Sequence, residues 1–95
     1  MWVGTVIGTL VATPKDQSLT GSKLLIVQPV SFTKHKECIP VVAVDAIGAG
    51  TGEQVLVVGG SSARYVVGNP EAAVDAAIIG IIDTMEVNRD LLKEP

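Results

Sequence analysis

The chain has 95 residues, one cysteine, one histidine and a formal net charge of −3 at pH 7. This length excludes a multidomain architecture, and a single cysteine excludes an intrachain disulfide. Hydrophobic residues make up 47% of the sequence while aromatic residues make up only 3%, so the apolar content is mostly aliphatic and favours strands. Because a domain this small is marginally stable without disulfides, metals or partners, we expect it to self-associate.

Charge and hydropathy argue against a nucleic-acid-binding or membrane protein. The seven Lys and Arg residues are scattered along an acidic chain, whereas nucleic-acid-binding domains carry clustered basic charge. The mean hydropathy is +0.46, but the apolar stretches are far shorter than a bilayer span, and the start lacks the basic region of a signal peptide. We therefore expect a cytoplasmic protein with no nucleic-acid partner, no membrane partner and no cofactor.

Five strands are predicted in chain order, each rich in β-branched residues and bounded by Gly, Pro or polar turns. They span residues 3–11, 23–30, 39–47, 54–58 and 77–82. The intervening segments 12–22 and 31–38 are predicted to be loops, and residues 61–64 are predicted to open a short helix with a serine as N-cap. Residues 72–76 fit either a helix or the start of the fifth strand, and the pattern leaves the two open.

Five strands with little helix, and with glycines where the strands bend, predict a mainly all-β fold: a small five-stranded OB-like β-barrel with one short helix. We place the barrel domain at residues 1–87 and a variable C-terminal tail at residues 88–95. An OB-type barrel raises an alternative function, a ligand-binding or single-stranded nucleic-acid-binding module. Such modules use aromatic stacking in a basic groove, and this chain has three aromatic residues and an acidic balance.

A glycine-rich run, Gly48-Ala49-Gly50-Thr51-Gly52-Glu53, separates the third and fourth strands. Phosphate-binding glycine loops open a helix whose N-terminal amides meet the phosphate, and a P-loop also needs a lysine after its last glycine. Here Glu53 follows, and then another strand. The sequence favours a glycine-rich hairpin with positive φ angles.

The side chains that could carry chemistry do not form a catalytic set. Ser61 and Ser62 lack the glycine-flanked turn of a hydrolase nucleophile, and His35 lies between two lysines in a predicted loop. Cys38 precedes Ile39 and is better interpreted as a small apolar residue than as a nucleophile.

Two carboxylates lie within or at the end of apolar strands, at Asp45 and Asp83. They resemble a general acid/base pair, but buried carboxylates need partners. We expect them instead to cap hairpins, or to meet a basic group such as Arg64 at a subunit contact. The sequence therefore predicts a protein that is not an enzyme.

Several segments resemble the vertex proteins of bacterial microcompartments, the small shell proteins of ethanolamine-utilisation organelles and carboxysomes. The resemblance lies in residues 42–58, 60–64 and 74–83, and also in residues 8–15 and 24–29. Its most specific part is Ile-Gly-Ala-Gly-Thr-Gly-Glu at 47–53, followed one strand later by Ser-Ala-Arg at 62–64.

The resemblance implies a structural protein: a five-stranded β-barrel that assembles as a cyclic pentamer. Such pentamers fill the five-fold corners of a polyhedral shell among hexameric shell proteins, and they have a narrow opening on the axis. The composition agrees with this, because a heterologous cyclic interface buries apolar surface on two sides of each subunit.

The resemblance also gives the glycine run a role. It implies that the axial opening is lined by Gly48, Ala49, Gly50, Thr51 and Gly52. It places Glu53, Arg64 and Asp83 at the subunit interface, with Glu53 hydrogen-bonded or paired, because a ring of unpaired carboxylates would repel itself. The alternative, a tight turn with no axial role, stays open. No partner is implied for the Lys34-His35-Lys36 segment.

Overall fold

The structure is a computed structural model that describes residues 1–13, 22–34 and 36–93. The strands in this part of the chain are β1 (Trp2–Leu10), β2 (Lys23–Pro29), β3 (Val41–Asp45), β4 (Gln54–Gly59) and β5 (Ala76–Ile81). One α-helix, α1 (Gly60–Val66), follows β4, and a 3-10 helix spans Arg89–Leu91. Most of the loop predicted at 12–22 lies outside the described residues, as does His35.

The five strands form a closed barrel in the order β1-β2-β3-β5-β4. Every neighbouring pair is antiparallel except β3 and β5, which run parallel through the pairs Val44 with Ala77 and Asp45 with Ile78. The prediction of a five-stranded OB-like barrel with one short helix is confirmed.

Successive side chains of each strand point to opposite faces of the barrel wall, and the inward-facing aliphatic side chains fill the interior. The side chains with the least exposure are Val6, Leu25, Val27, Val55, Val57 and Ile78. Full burial of each contributes about 1.5–3 kcal/mol in transfer free energy. Since no aromatic residue is fully buried among the described residues, the core is a packing of small branched side chains.

A second cluster lies on the outside of the barrel, under α1. It joins outward-facing residues of three strands to the helix and to the segment before β5: Val44, Val58, Ala63, Ala72, Val74 and Ala77. Strands β3, β4 and β5 are therefore buried on both faces at this point, which explains the continuous apolar runs in their sequences.

Two glycines of β1 shape the barrel wall. A Cβ atom at Gly4 would overlap Val27 Cγ1 and lie 3.1 Å from the carbonyl oxygen of Gln28, so this position requires the close approach that glycine allows. The register between β1 and β2 shifts between Val6 and Gly8, as expected for a glycine at a β-bulge.

The helix begins one residue earlier than predicted, and the serine N-cap was wrong. Gly59 occupies the N-cap position with no side-chain hydrogen bond. Because β4 continues to Gly59 and the chain turns at Gly60, whose φ is +60°, Ser61 already lies within the helix. The question left open at 72–76 is also answered: residues 72–75 belong to neither helix nor strand, and β5 begins at Ala76.

The glycine-rich run is not a hairpin, which corrects the expectation from sequence. Strands β3 and β4 are not neighbours, because β5 lies between them. The run at 46–53 is instead a crossover that carries the chain past the end of β5. Adjacent strands in sequence pair in most folds, and this crossover is the exception.

The tail returns to the barrel. Lys93 forms a parallel bridge with Thr33, and its carbonyl oxygen accepts a hydrogen bond from the Lys34 N–H at 2.8 Å. Within the described residues, no helix has the length and apolar character needed to cross a membrane.

Candidate assembly site

The glycine loop, residues 46–53, is the feature to which the sequence assigned a function. Gly48 and Gly52 adopt φ angles of +88° and +91°, where a side chain is strained. Gly50 does not have a positive φ; a Cβ atom there would lie 3.3 Å from Glu53 Oε1. The loop therefore needs glycine for conformation at two positions, and at the third a side chain would crowd the carboxylate of Glu53.

Asp45 holds the start of the loop. Its side chain is fully buried, and Oδ1 accepts hydrogen bonds from the N–H groups of Ile47 at 3.0 Å and Gly48 at 3.1 Å. Oδ2 lies 3.3 Å from Nζ of Lys23. Asp45 was expected to cap a hairpin or to meet a basic group such as Arg64; it caps the start of a crossover loop instead, and its basic partner is Lys23 on β2.

Lys23 also reaches the middle of the loop, because Nζ donates a hydrogen bond to the carbonyl oxygen of Ala49 at 3.0 Å. Burial by itself would raise the pKa of Asp45. The backbone N–H groups of the loop and the Lys23 ammonium outweigh that effect, so the pKa of Asp45 lies below its ordinary value. The carboxylate is therefore ionised at neutral pH.

Glu53 holds the other end of the loop. Its Oε1 accepts a hydrogen bond from the Gly50 N–H at 2.6 Å, and the Glu53 N–H donates to the Gly50 carbonyl oxygen at 3.1 Å. Reciprocal bonds to β1 join Gly52 and Glu53 to the backbone of Val6 at 2.8 and 2.9 Å. The expected hydrogen bond to Glu53 is present, and it lies within one subunit.

The loop residues do not all face outward. Ala49 is fully buried in the barrel core, so neither its methyl group nor its backbone lies on the surface of the subunit. Ile47, Gly48, Thr51 and Gly52 are exposed. Thr51 is thus the polar side chain at the exposed tip of the loop.

Arg64 and Asp83 lie elsewhere. Arg64 is half-buried on α1, beside a groove of about 430 Å³ that is also lined by Tyr65, Asn69 and Pro70. Asp83 is exposed just after β5. Arg64 and Glu53 lie beyond opposite ends of β4 and do not form an ion pair within the described chain, so any contact between them would join two subunits.

Sequence reasoning missed Lys23. Its position opposite Asp45 depends on the register of β2 against β3, and no local pattern reveals that register. Lysine at the start of a strand looks like an ordinary exposed residue, and its side chain is indeed 52% exposed.

No catalytic or metal centre emerges in the described residues. They contain no group of three or more His, Cys, Asp or Glu side chains arranged to hold a metal ion. Ser61 and Ser62 are exposed on α1, and Cys38 is a half-buried free thiol. The distinctive feature of this small barrel is therefore a loop whose backbone is held by the side chains of Lys23, Asp45 and Glu53.

Comparison with known proteins places this barrel in a family. Residues 1–83 match the family described as "Ethanolamine utilisation protein EutN/carboxysome". The microcompartment shell vertex protein GrpN of Rhodospirillum rubrum is 46% identical over 86 residues, covering 90% of this chain and 97% of GrpN. PduN of Salmonella typhimurium, also a shell vertex protein, is 47% identical over 89 residues, covering 90% and 98%.

A solved structure agrees. That of the pentameric microcompartment shell protein GrpN from Rhodospirillum rubrum superposes with a TM-score of 0.79 at 44% identity, covering 93% of this chain and all of the other. The chain belongs to the EutN/carboxysome family of shell vertex proteins. Its function is structural, within the shell of a bacterial microcompartment in the cytoplasm, and the alternative of an OB-type binding module is not favoured.

Proposed function

We propose that this chain assembles as a homopentamer that occupies the five-fold vertices of a microcompartment shell. The observation that carries the proposal is the fit of nearly the whole barrel to a relative described as pentameric. A flat layer of hexagonal units needs five-fold corners to close into a polyhedron, and a cyclic pentamer supplies that symmetry.

Apolar side chains on the outside of the subunit support association. Ile7 on β1, Val42 on β3 and Ile81 on β5 all point outward and are exposed. A head-to-tail ring needs two different surfaces on each subunit, and these three strands present apolar residues on more than one side of the barrel. Burying them between copies would stabilise so small a domain.

The glycine loop is proposed to face the five-fold axis. The residues concerned are Gly48, Ala49, Gly50, Thr51 and Gly52. Thr51 presents its hydroxyl at the tip, while Ala49 is fully buried and anchors the loop in the core of its own subunit. Glycines at this place allow the backbones of neighbouring copies to approach closely.

Arg64, Asp83 and Glu53 are proposed to lie at the contact between subunits. Arg64 borders the groove along α1, and Asp83 is exposed at the opposite end of the barrel. Glu53 uses Oε1 within its own loop, so it contributes to the contact through the rest of its carboxylate. A charged pair joining the two ends of neighbouring barrels would fix their relative orientation.

The outer flanks of the pentamer are proposed to contact hexameric shell proteins. In this proposal residues 1–87 form the shell domain, and residues 88–95 are a variable tail outside it.

Native mass spectrometry tests the pentamer. The expected particle has five times the subunit mass of 9.8 kDa. Arg64→Ala should shift the population towards smaller species at micromolar concentration, because it removes a partly buried charge from the contact.

Lys93→Ala is the matched control. Its side chain is exposed, and its bridge to Thr33 uses backbone atoms only. Monomers or dimers alone in the wild-type spectrum would refute the pentamer. Equal spectra for the two variants would show that Arg64 does not contribute to the contact between subunits.

A further inference from the structure

The glycine loop is held in shape by side chains of its own subunit. We propose that Lys23 and Asp45 are positioning residues for assembly, which fix the first half of the loop in its final shape before the subunits meet. This inference rests on the proposed homopentamer and on the loop facing its axis.

The two residues form a bridge between neighbouring strands and the loop. Lys23 and Asp45 are paired in the register of β2 and β3. From there, the carboxylate takes two loop N–H groups through Oδ1, and the ammonium joins Oδ2 at 3.3 Å to the Ala49 carbonyl oxygen at 3.0 Å. Removal of Lys23 would leave a fully buried carboxylate without its counter-ion and a loop carbonyl without its donor.

The effect of that removal should be local. The second half of the loop has separate anchors, through Glu53 to Gly50 and through Gly52 to Val6. The Lys23 side chain is half exposed, so an apolar residue of similar length keeps the packing of its stem. We therefore expect residues 46–49 to loosen while the barrel stays folded.

A ring amplifies the loss of a preformed loop. If only a fraction f of subunits carries the loop in the competent shape, the association constant for five subunits scales as the fifth power of f. The concentration at half assembly then scales as f to the power −5/4. A fall in f from near one to about 0.1 would raise that concentration roughly 18-fold.

The experiment compares Lys23→Met with Lys23→Arg and with the exposed control Lys93→Met, by sedimentation over a concentration series. We expect Lys23→Met to raise the concentration at half assembly about tenfold or more. Lys23→Arg keeps the charge and should restore most of the assembly, while Lys93→Met should match the wild type.

Amide hydrogen exchange supplies the readout that general destabilisation would not produce. In Lys23→Met, exchange at Ile47 and Gly48 should accelerate at least tenfold, while Val55 and Val57 in β4 keep their protection. Should Lys23→Met fail to fold, Asp45→Asn is the second variant, because it leaves no buried charge. It is expected to shift assembly and loop exchange in the same direction.

Two results would overturn the inference. One is wild-type assembly by the folded variants; the other is exchange that accelerates equally in the loop and in β4. A wild-type protein that forms no pentamer refutes the proposed function instead, which separates the two failures.

Discussion

At the scale of single residues, the important positions are those whose side chain, or lack of one, is dictated by the neighbouring strand. Gly4 lies where β2 leaves no room for a side chain on β1, and Asp45 is a charge buried at the end of a strand. Both depend on what stands opposite them in the next strand. The sequence places glycines where the strands bend, and it marks Asp45 as a carboxylate in need of a partner.

Gly4→Ala should destabilise the subunit. The added methyl group would overlap Val27 Cγ1 inside a packed barrel, and such overpacking typically costs about 1–3 kcal/mol. Urea unfolding at fixed protein concentration measures the loss.

Gly8→Ala is the control for this prediction. Its nearest neighbour would be the flexible end of Ile26 at 3.7 Å, an ordinary contact. If the two variants unfold at the same urea concentration, the close approach at Gly4 does not limit the stability of the barrel.

Asp45 should make stability depend on pH in the acid range. Its pKa is lowered in the folded state, so its contribution to stability is present above its ordinary pKa of about 3.9. That contribution is lost as the pH falls through the lower, folded value, because the folded state must then take up the proton. Unfolding free energies from pH 7 down to pH 2 measure the loss.

Asp45→Asn provides the comparison. The wild type should be more stable at pH 7, and the difference should shrink as the pH falls below about 4. A difference that stays constant over the whole range would show that the charge of Asp45 does not stabilise the fold.

At the scale of elements, the barrel and the tail are held very differently. Each strand pairs with a neighbour on both sides, through at least four residue pairs in every case except β3 and β5, which share two. The tail contains one short 3-10 helix, and among the described residues a single bridge, between Lys93 and Thr33, joins it to the segment after β2. Little apolar surface is buried there, since Leu91 is 77% exposed.

Removal of residues 88–95 should therefore leave the barrel intact. We expect the truncated protein to melt within about 4 °C of the full chain, because a change of about 1 kcal/mol shifts the melting temperature of a domain this size by about 4–8 °C. The oligomer should keep the same number of subunits in native mass spectrometry. A melting temperature lowered by more than about 8 °C, or a smaller oligomer, would show that the tail is part of the folded domain.

The element scale is also where sequence reasoning failed. The predicted strand boundaries lie within about two residues of the observed ones, because a run of β-branched residues favours a strand wherever the chain folds. The sequence predicts a hairpin at the glycine loop, because a strand lies on each side of a glycine-rich run. Nothing local announces that β5, which follows more than twenty residues later, inserts between β3 and β4.

At the scale of the whole molecule, the proposed assembly would account for so short and aliphatic a chain. The barrel encloses a core of small side chains, and it leaves apolar residues such as Ile7, Val42 and Ile81 on its outer surface. In a monomer these would be a liability, and in the proposed ring they would become contact area. Length and composition alone had already indicated a protein that needs partners of its own kind.

The sequence by itself determined the five strands, the aliphatic core, the short helix and the family, since these depend on side-chain chemistry that can be read residue by residue. Only the tertiary structure decided that β5 lies between β3 and β4, that Lys23 meets Asp45, and that Glu53 turns back to Gly50. The physical reason is that strand order and register depend on interactions between distant parts of the chain. A buried charge needs a partner wherever it lies, but only the folded backbone determines which residue is within reach.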